Sequence, residues 1–228
     1  MDFDFSPLWI SFKTASTSTV VTFFLGIGAA RIISEYKGRF KSVIDGILTL
    51  PLVLPPTVVG FFLLLLFGRH GPVGKLLYLM GSTVIFSWPA TVIAATVVAF
   101  PLMYKTARGA FEQIDSNIIN AARTLGVSEW RIFWKITVPL AWPGIAAGTV
   151  LAFARALGEF GATLMVAGNI PGRTQTIPVA IFFTAEGGEM SKALLWVLLI
   201  ITISLTVMMA MNYWTDCQRK MMPAPGRM

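Results

Sequence analysis

Arg155 and Glu159 stand four residues apart in Ala154-Arg-Ala-Leu-Gly-Glu-Phe-Gly161, inside the apolar run from Leu140 to Val166. On a helix this spacing puts both on one face, where they can pair. Isolating either charge in hydrocarbon would cost roughly 2.5–3.5 kcal/mol or more. Two readings stay open: a structural ion pair between packed helices, or charges that bias a gating motion or the path of an anion. Other chemistry has little to work with. His70, the one histidine, sits beside Arg69 in a Gly/Pro-rich link, and Cys217 is the one cysteine. No disulfide framework, Cys-rich metal site, Ser/His/Asp arrangement or His/Glu metal set is available, so no catalytic residue, metal or cofactor is expected. Gly68-Arg-His-Gly-Pro-Val-Gly-Lys75 fails as a phosphate-binding loop, because Arg69 stands where the first Gly is needed and Leu76 where Ser or Thr is needed. Any ATP chemistry belongs to a partner.

The elements that must position such residues are membrane spans. The 228 residues are 55% hydrophobic and 13% charged, with a mean hydropathy of +0.72, more apolar surface than a soluble fold of this size hides. Five segments are long enough to cross a bilayer core: about Leu8 to Ile33, Val43 to Phe67, Val84 to Met103, Leu140 to Val166 and Ala193 to Trp214. The expected fold is an all-α membrane protein forming one domain over 1–228, with five spans and six as the alternative. Ile177 to Thr184 is too short to cross and is expected to pack on the outer face of the bundle. The Thr/Ser run from Thr14 to Thr19 in the first span reads as hydroxyls bonded to their own helix or to a neighbour. The N-terminus, Met-Asp-Phe-Asp-Phe, has acids where a signal peptide carries a basic region.

Charge sets the orientation. With the N-terminus outside, Arg31, Lys37, Arg39, Lys41, Lys105, Arg108, Arg123, Arg131, Lys135, Arg219, Lys220 and Arg227 fall on the inner side. Only Lys13, Arg69, Lys75, Arg173 and Lys192 fall outside, as the positive-inside rule requires. The net charge of +7 is therefore a topology signal and not a sign of nucleic acid. The short basic tail after Trp214 is expected to be unstructured at its end.

Two stretches interrupt the apolar pattern. In Leu50-Pro-Leu-Val-Leu-Pro-Pro-Thr-Val-Val-Gly60, Pro51, Pro55 and Pro56 remove backbone donors, so the second span must kink or break at membrane depth. The break is either static or part of a gate or pathway. The second is the polar island Asn120-Ala-Ala-Arg-Thr-Leu-Gly126, which continues through Val-Ser-Glu-Trp-Arg-Ile-Phe-Trp-Lys to Ile136-Thr-Val-Pro139. Asp115 or Ser116 can cap a helix ending at Leu125, Gly126 suits the left-handed residue after it, and Ser128 with Glu129 can start a second helix. Ile118, Ile119, Ala122 and Leu125 form its narrow apolar stripe. Helix, Gly turn and helix also match a DNA-binding helix-turn-helix, but the apolar flanks leave no soluble domain around it.

The island resembles the cytoplasmic loop of ABC-importer membrane subunits, Glu-Ala-Ala, then Gly, then Ile-x-Leu-Pro. Ala121, Ala122, Gly126, Ile136 and Pro139 match, while Asn120 replaces the Glu and Val138 the Leu. The resemblance implies that this loop, about 104–138, is a coupling helix that docks on an ATP-hydrolysing subunit. Pro51 to Gly60, Leu151 to Thr163 and Asn169-Ile-Pro-Gly-Arg-Thr-Gln-Thr-Ile-Pro178 are similar to bacterial molybdate permeases, and the last two also to sulfate/thiosulfate permeases. That likeness implies a plasma-membrane (bacterial or archaeal inner-membrane) homodimer with two ATPase subunits beneath. A periplasmic or lipid-anchored binding protein would deliver molybdate, with tungstate tolerated. The rival classes are a stand-alone channel, which needs no such loop, and a membrane-embedded enzyme.

Overall fold

The computed structural model describes residues 4–221, and every element among them is helical. The tail at 222–228, Arg227 included, lies outside the described residues. Helix α1 (Ser6–Glu35) is followed by α2 (Lys41–Val53), α3 (Pro56–Phe67), α4 (Pro72–Leu79) and α5 (Trp88–Glu112). The polar island forms α6 (Ser116–Thr124) and α7 (Glu129–Ile132). It leads through a π-helical turn, Phe133–Thr137, into α8 (Val138–Leu157). Helices α9 (Gly161–Ala167), α10 (Ile177–Glu186) and α11 (Met190–Met221) follow.

Among the described residues, four helical stretches are long and apolar enough to cross a membrane: Ser6–Glu35, Trp88–Glu112, Glu129–Leu157 and Met190–Ala210. The pair α2 and α3, bent by 112°, makes a fifth if taken as one broken span. The break falls where the prolines demand it. Val53 ends α2, Pro55 stands before α3, and Pro56 opens α3, where a missing N–H leaves no bond unmade. Pro51 is tolerated inside α2.

At the centre, α1 and α5 run parallel. Thr14 Oγ1 lies 3.0 Å from Thr91 Oγ1 and accepts from Trp88 Nε1 at 3.1 Å, while Ser18 and Thr19 bond back to the Ala15 carbonyl. The hydroxyl run is therefore glue, as its composition predicts. Further along, Gly26 lets α1 approach Met103, whose Cγ would be 2.6 Å from an added Cβ. Helix α8 returns antiparallel to α5, with Gly148 against Met103 and Thr106 and Gly144 against Ala110. Small residues thus let the three backbones close in where hydrophobic driving force between helices is weak. Helix α10 is too short to cross. It packs on α11 and α1, with Ile177 and Trp196 buried and the Ile177 N–H donating to Ser11 Oγ at 2.7 Å.

Two boundaries differ from expectation. Helix α5 does not stop near Met103 but continues to Glu112, its last turns supported by an Arg108 to Glu112 ion pair at 2.8 Å. The loop expected over about 104–138 therefore shrinks to α6, α7 and their connections. The fourth apolar segment is not one helix: α8 ends at Leu157 and α9 starts only at Gly161.

Candidate functional site

The predicted residues gather at two places. One is the elbow between α2 and α3, which the break between α8 and α9 faces. Helices α3 and α9 lie side by side and parallel. A Cβ added to Gly60 would lie 2.8 Å from the Ala162 Cα, and one at Gly161 would lie 3.2 Å from Pro56 Cβ and from the Thr57 nitrogen. The first helical turns of both half-helices therefore meet.

Glu159 sits in that break, buried, and not on the helix with Arg155. The expectation of two charges on one helical face is corrected: Gly158 ends α8 and Arg155 occupies its last turn. The four-residue spacing still brings them together, Arg155 Nη1 lying 2.8 Å from Glu159 Oε2 as a charge contact and not an aligned hydrogen bond. The second carboxylate oxygen accepts the Ala162 N–H at 2.8 Å, satisfying one of the donors that the start of α9 leaves open. Glu159 thus carries a capping role that spacing alone did not reveal. The side chain of Arg155 is 28% exposed and that of Glu159 1%, so the pair is an enclosed carboxylate steered by a cation that reaches outward.

The other place is the loop. Asp115 accepts the Asn117 N–H at 2.9 Å and caps α6. The helix ends in a Schellman motif: the Val127 N–H reaches the Ala122 carbonyl at 3.1 Å and Gly126 takes φ +73°. Ala122 is the inward-facing residue of the stripe, whereas Ala121, Ile118 and Leu125 are exposed. Arg123 reaches across the turn to Glu129 with bonds of 2.6 and 3.0 Å, and its weaker contact, at 3.3 Å, is to Asn120 Oδ1. The hydrogen bond to Glu129 raises the Arg123 guanidinium above its ordinary value. Where the loop pattern asks for a carboxylate at 120, the charge partner of Arg123 thus comes from α7. Opposite charges flanking the Gly turn were the available signal for it. Ile136 lies in the π-helical turn, and Pro139 follows it in α8. Pro139 has no N–H and would crowd the carbonyl four residues back, so the wider turn lets one helix run on from Glu129 to Leu157. A groove of about 640 Å³ flanks the loop, lined among others by Gly109, Ile118, Leu140 and Gly144.

A short helix, α6, thus stands on a capped, glycine-closed turn between α5 and the helix that runs on from Glu129. Residues 22–216 match the family model of the binding-protein-dependent transport system inner membrane component. The chain belongs to that family. Among relatives, the molybdenum transport system permease protein ModB of Escherichia coli (strain K12) is 45% identical over 200 residues, covering 86% of this chain and 87% of its own. ModB of Haemophilus influenzae is 42% identical over 210 residues, covering 91% and 92%. A probable sulfate transport system permease protein of Chlorokybus atmophyticus is 33% identical over 204 residues, covering 90% and 71%. The fold matches a bacterial ABC transporter that imports alginate, with a TM-score of 0.77, 17% identity and coverage of 96% and 79%. It also matches the inward-facing MetNI methionine ABC transporter, with a TM-score of 0.72, 15% identity and coverage of 92% and 94%. The chain is accordingly a multi-pass inner-membrane permease subunit of an ABC importer and not itself an enzyme.

Proposed function

We propose that two copies of this chain form the pathway of an ABC importer for a tetrahedral oxyanion, molybdate, with tungstate also accepted. The observation that carries the substrate is the likeness to ModB over nearly the whole of both chains. It covers the Pro-Pro elbow and the Gly-Glu-Phe-Gly break that meet in the fold. Two ATP-hydrolysing subunits engage α6 from the cytoplasm, and a periplasmic or lipid-anchored binding protein delivers the anion from outside. The N-terminus lies outside and the C-terminus in the cytoplasm, following the distribution of Lys and Arg.

In this reading Asn120 and Ala121 lie on the docking face, Ala122 seats that helix on its own chain and Gly126 sets the turn after it, while Ile136 and Pro139 join it to the span that ends at Leu157. ATP binding draws the two docking faces together and turns the pore outward. Hydrolysis lets it reopen inward, so partners shift the balance of two pore states. Pro51, Pro55 and Pro56 shape the elbow, and Arg155, partly exposed beside it, offers a passing dianion one weak contact. Weak contacts are what conduction requires. Nothing in the pore residues weighs molybdenum against sulfur, so discrimination falls to the binding protein. The second reading is a sulfate or thiosulfate permease, favoured by the more distant Chlorokybus relative.

Purification from native membranes tests the assembly. The chain should come out with an ATPase subunit, and that complex should hydrolyse ATP faster when a molybdate-loaded binding protein is added. A chain that conducts oxyanions alone, with no ATPase bound, would mean a channel.

A further inference from the structure

A polar network ties α2 to α5 close to the loop, and it belongs to neither place described above. Arg108 Nη1 lies 2.5 Å from Asp45 Oδ1, and the buried Tyr104 hydroxyl donates to the same oxygen at 2.8 Å. Arg108 Nε donates to Glu112 Oε1 at 2.8 Å, and Lys41 Nζ approaches that oxygen at 3.6 Å. Charges alternate along the chain Asp45, Arg108, Glu112, Lys41, two from each helix.

The rest of α2 is loosely held. It has no fully buried residue. Ile44 and Leu48 rest half-buried on the core, and Val43, Ile47 and Val53 are exposed. Apolar contacts of that kind allow sliding, whereas a bridged arginine fixes register. Beyond the elbow, α3 is locked to α9 by the close approaches at Gly60 and Gly161. Below the network, only Gln113, Ile114 and Asp115 separate α5 from α6, and Asp115 is the cap of α6.

We propose that Asp45, Arg108 and Glu112 are positioning residues that make α2 move as one body with the inner end of α5, so that displacement of α6 is delivered to the elbow at Pro55. The proposal rests on the permease reading above. A network that merely staples the fold would support assembly without affecting how much transport each ATP drives.

The test uses the complete complex in proteoliposomes with labelled molybdate as the probe, recording molybdate taken up per ATP hydrolysed. Asp45→Asn keeps the shape and loses the charge. Uptake per ATP should fall about tenfold while binding-protein-stimulated hydrolysis persists. Glu112→Gln, at the exposed rim of the network, should lower the ratio about threefold. If Asp45→Asn does not assemble, Glu112→Gln decides, and a ratio equal to wild type in the assembled variants overturns the proposal. A second measurement needs no molybdate. In a Cys217→Ser background, spin labels at Ser42→Cys and Gly109→Cys should keep one separation with and without trapped ATP, while labels at Ser42→Cys and Phe62→Cys change theirs. A change across α2 and α5 as large as that across the elbow would overturn the proposal. Absence of ATP-dependent uptake by the wild-type complex would instead count against the permease reading, leaving the label distances to judge the network.

Discussion

Gly60 and Ala162 touch backbone to backbone, a Cβ on Gly60 falling 2.8 Å from the Ala162 Cα and 2.8 Å from Met165 Cβ. Two stretches about a hundred residues apart in sequence are thereby one structural unit. Gly60→Ala must push half-helices apart, and overpacking of this kind costs roughly 1–3 kcal/mol. The purified complex should melt at a lower temperature. Gly46→Ala in α2, where an added Cβ meets nothing within 4 Å, should leave the melting temperature unchanged or raise it. Equal melting of both variants would contradict the close approach.

Gly126→Val tests the turn after α6. An added Cβ meets nothing within 4 Å, so space is no obstacle, but φ is +73°. A left-handed conformation costs an L-residue about 1–2 kcal/mol. The variant should insert and assemble yet transport poorly, because the direction from α6 to α7 changes. Wild-type uptake and wild-type ATPase stimulation would show that this turn is not part of transmission.

For the pair at the break, burial predicts an asymmetry. Arg155→Gln strands the carboxylate that is 1% exposed, whereas Glu159→Gln leaves a cation that is 28% exposed and keeps an oxygen for the Ala162 N–H. Arg155→Gln should therefore be the more damaging, by on the order of 3 kcal/mol or more. The double change should recover assembly. Assembly recovered without transport would assign the charges to gating or to the anion path. Harmless single changes would mean that water reaches the carboxylate.

Much of this was legible in the residues. Pro55 and Pro56 announce the elbow because a missing donor has few sites to occupy, and Gly126 announces the turn because few other residues adopt its φ. Apolar lengths gave the spans. What spacing could not give was which distant stretches meet. Nothing local in Pro56 or Gly161 says that they pack together, and Asp45 looks stray in an apolar run until Arg108 is beside it. The break after Leu157 was missed for a related reason. Gly158 and Gly161 fit a continuous helix as well as a broken one, and the deciding feature is the tertiary approach of α3.

Orientation has a ready reporter in Cys217, the one thiol. In sealed cells it should resist a membrane-impermeant maleimide and react once the cytoplasmic face is opened. Labelling from outside would reverse the assignment of the termini.

The central claim is the substrate and its energy source, and uptake measures both at once. Proteoliposomes holding this chain, its ATPase and its own binding protein are given labelled molybdate, tungstate or sulfate at equal low concentration. The account predicts ATP-dependent accumulation of molybdate, competed by tungstate and hardly by sulfate. Sulfate uptake that excess molybdate does not suppress would remove the molybdate assignment, and no ATP-dependent oxyanion uptake at all would contradict the account.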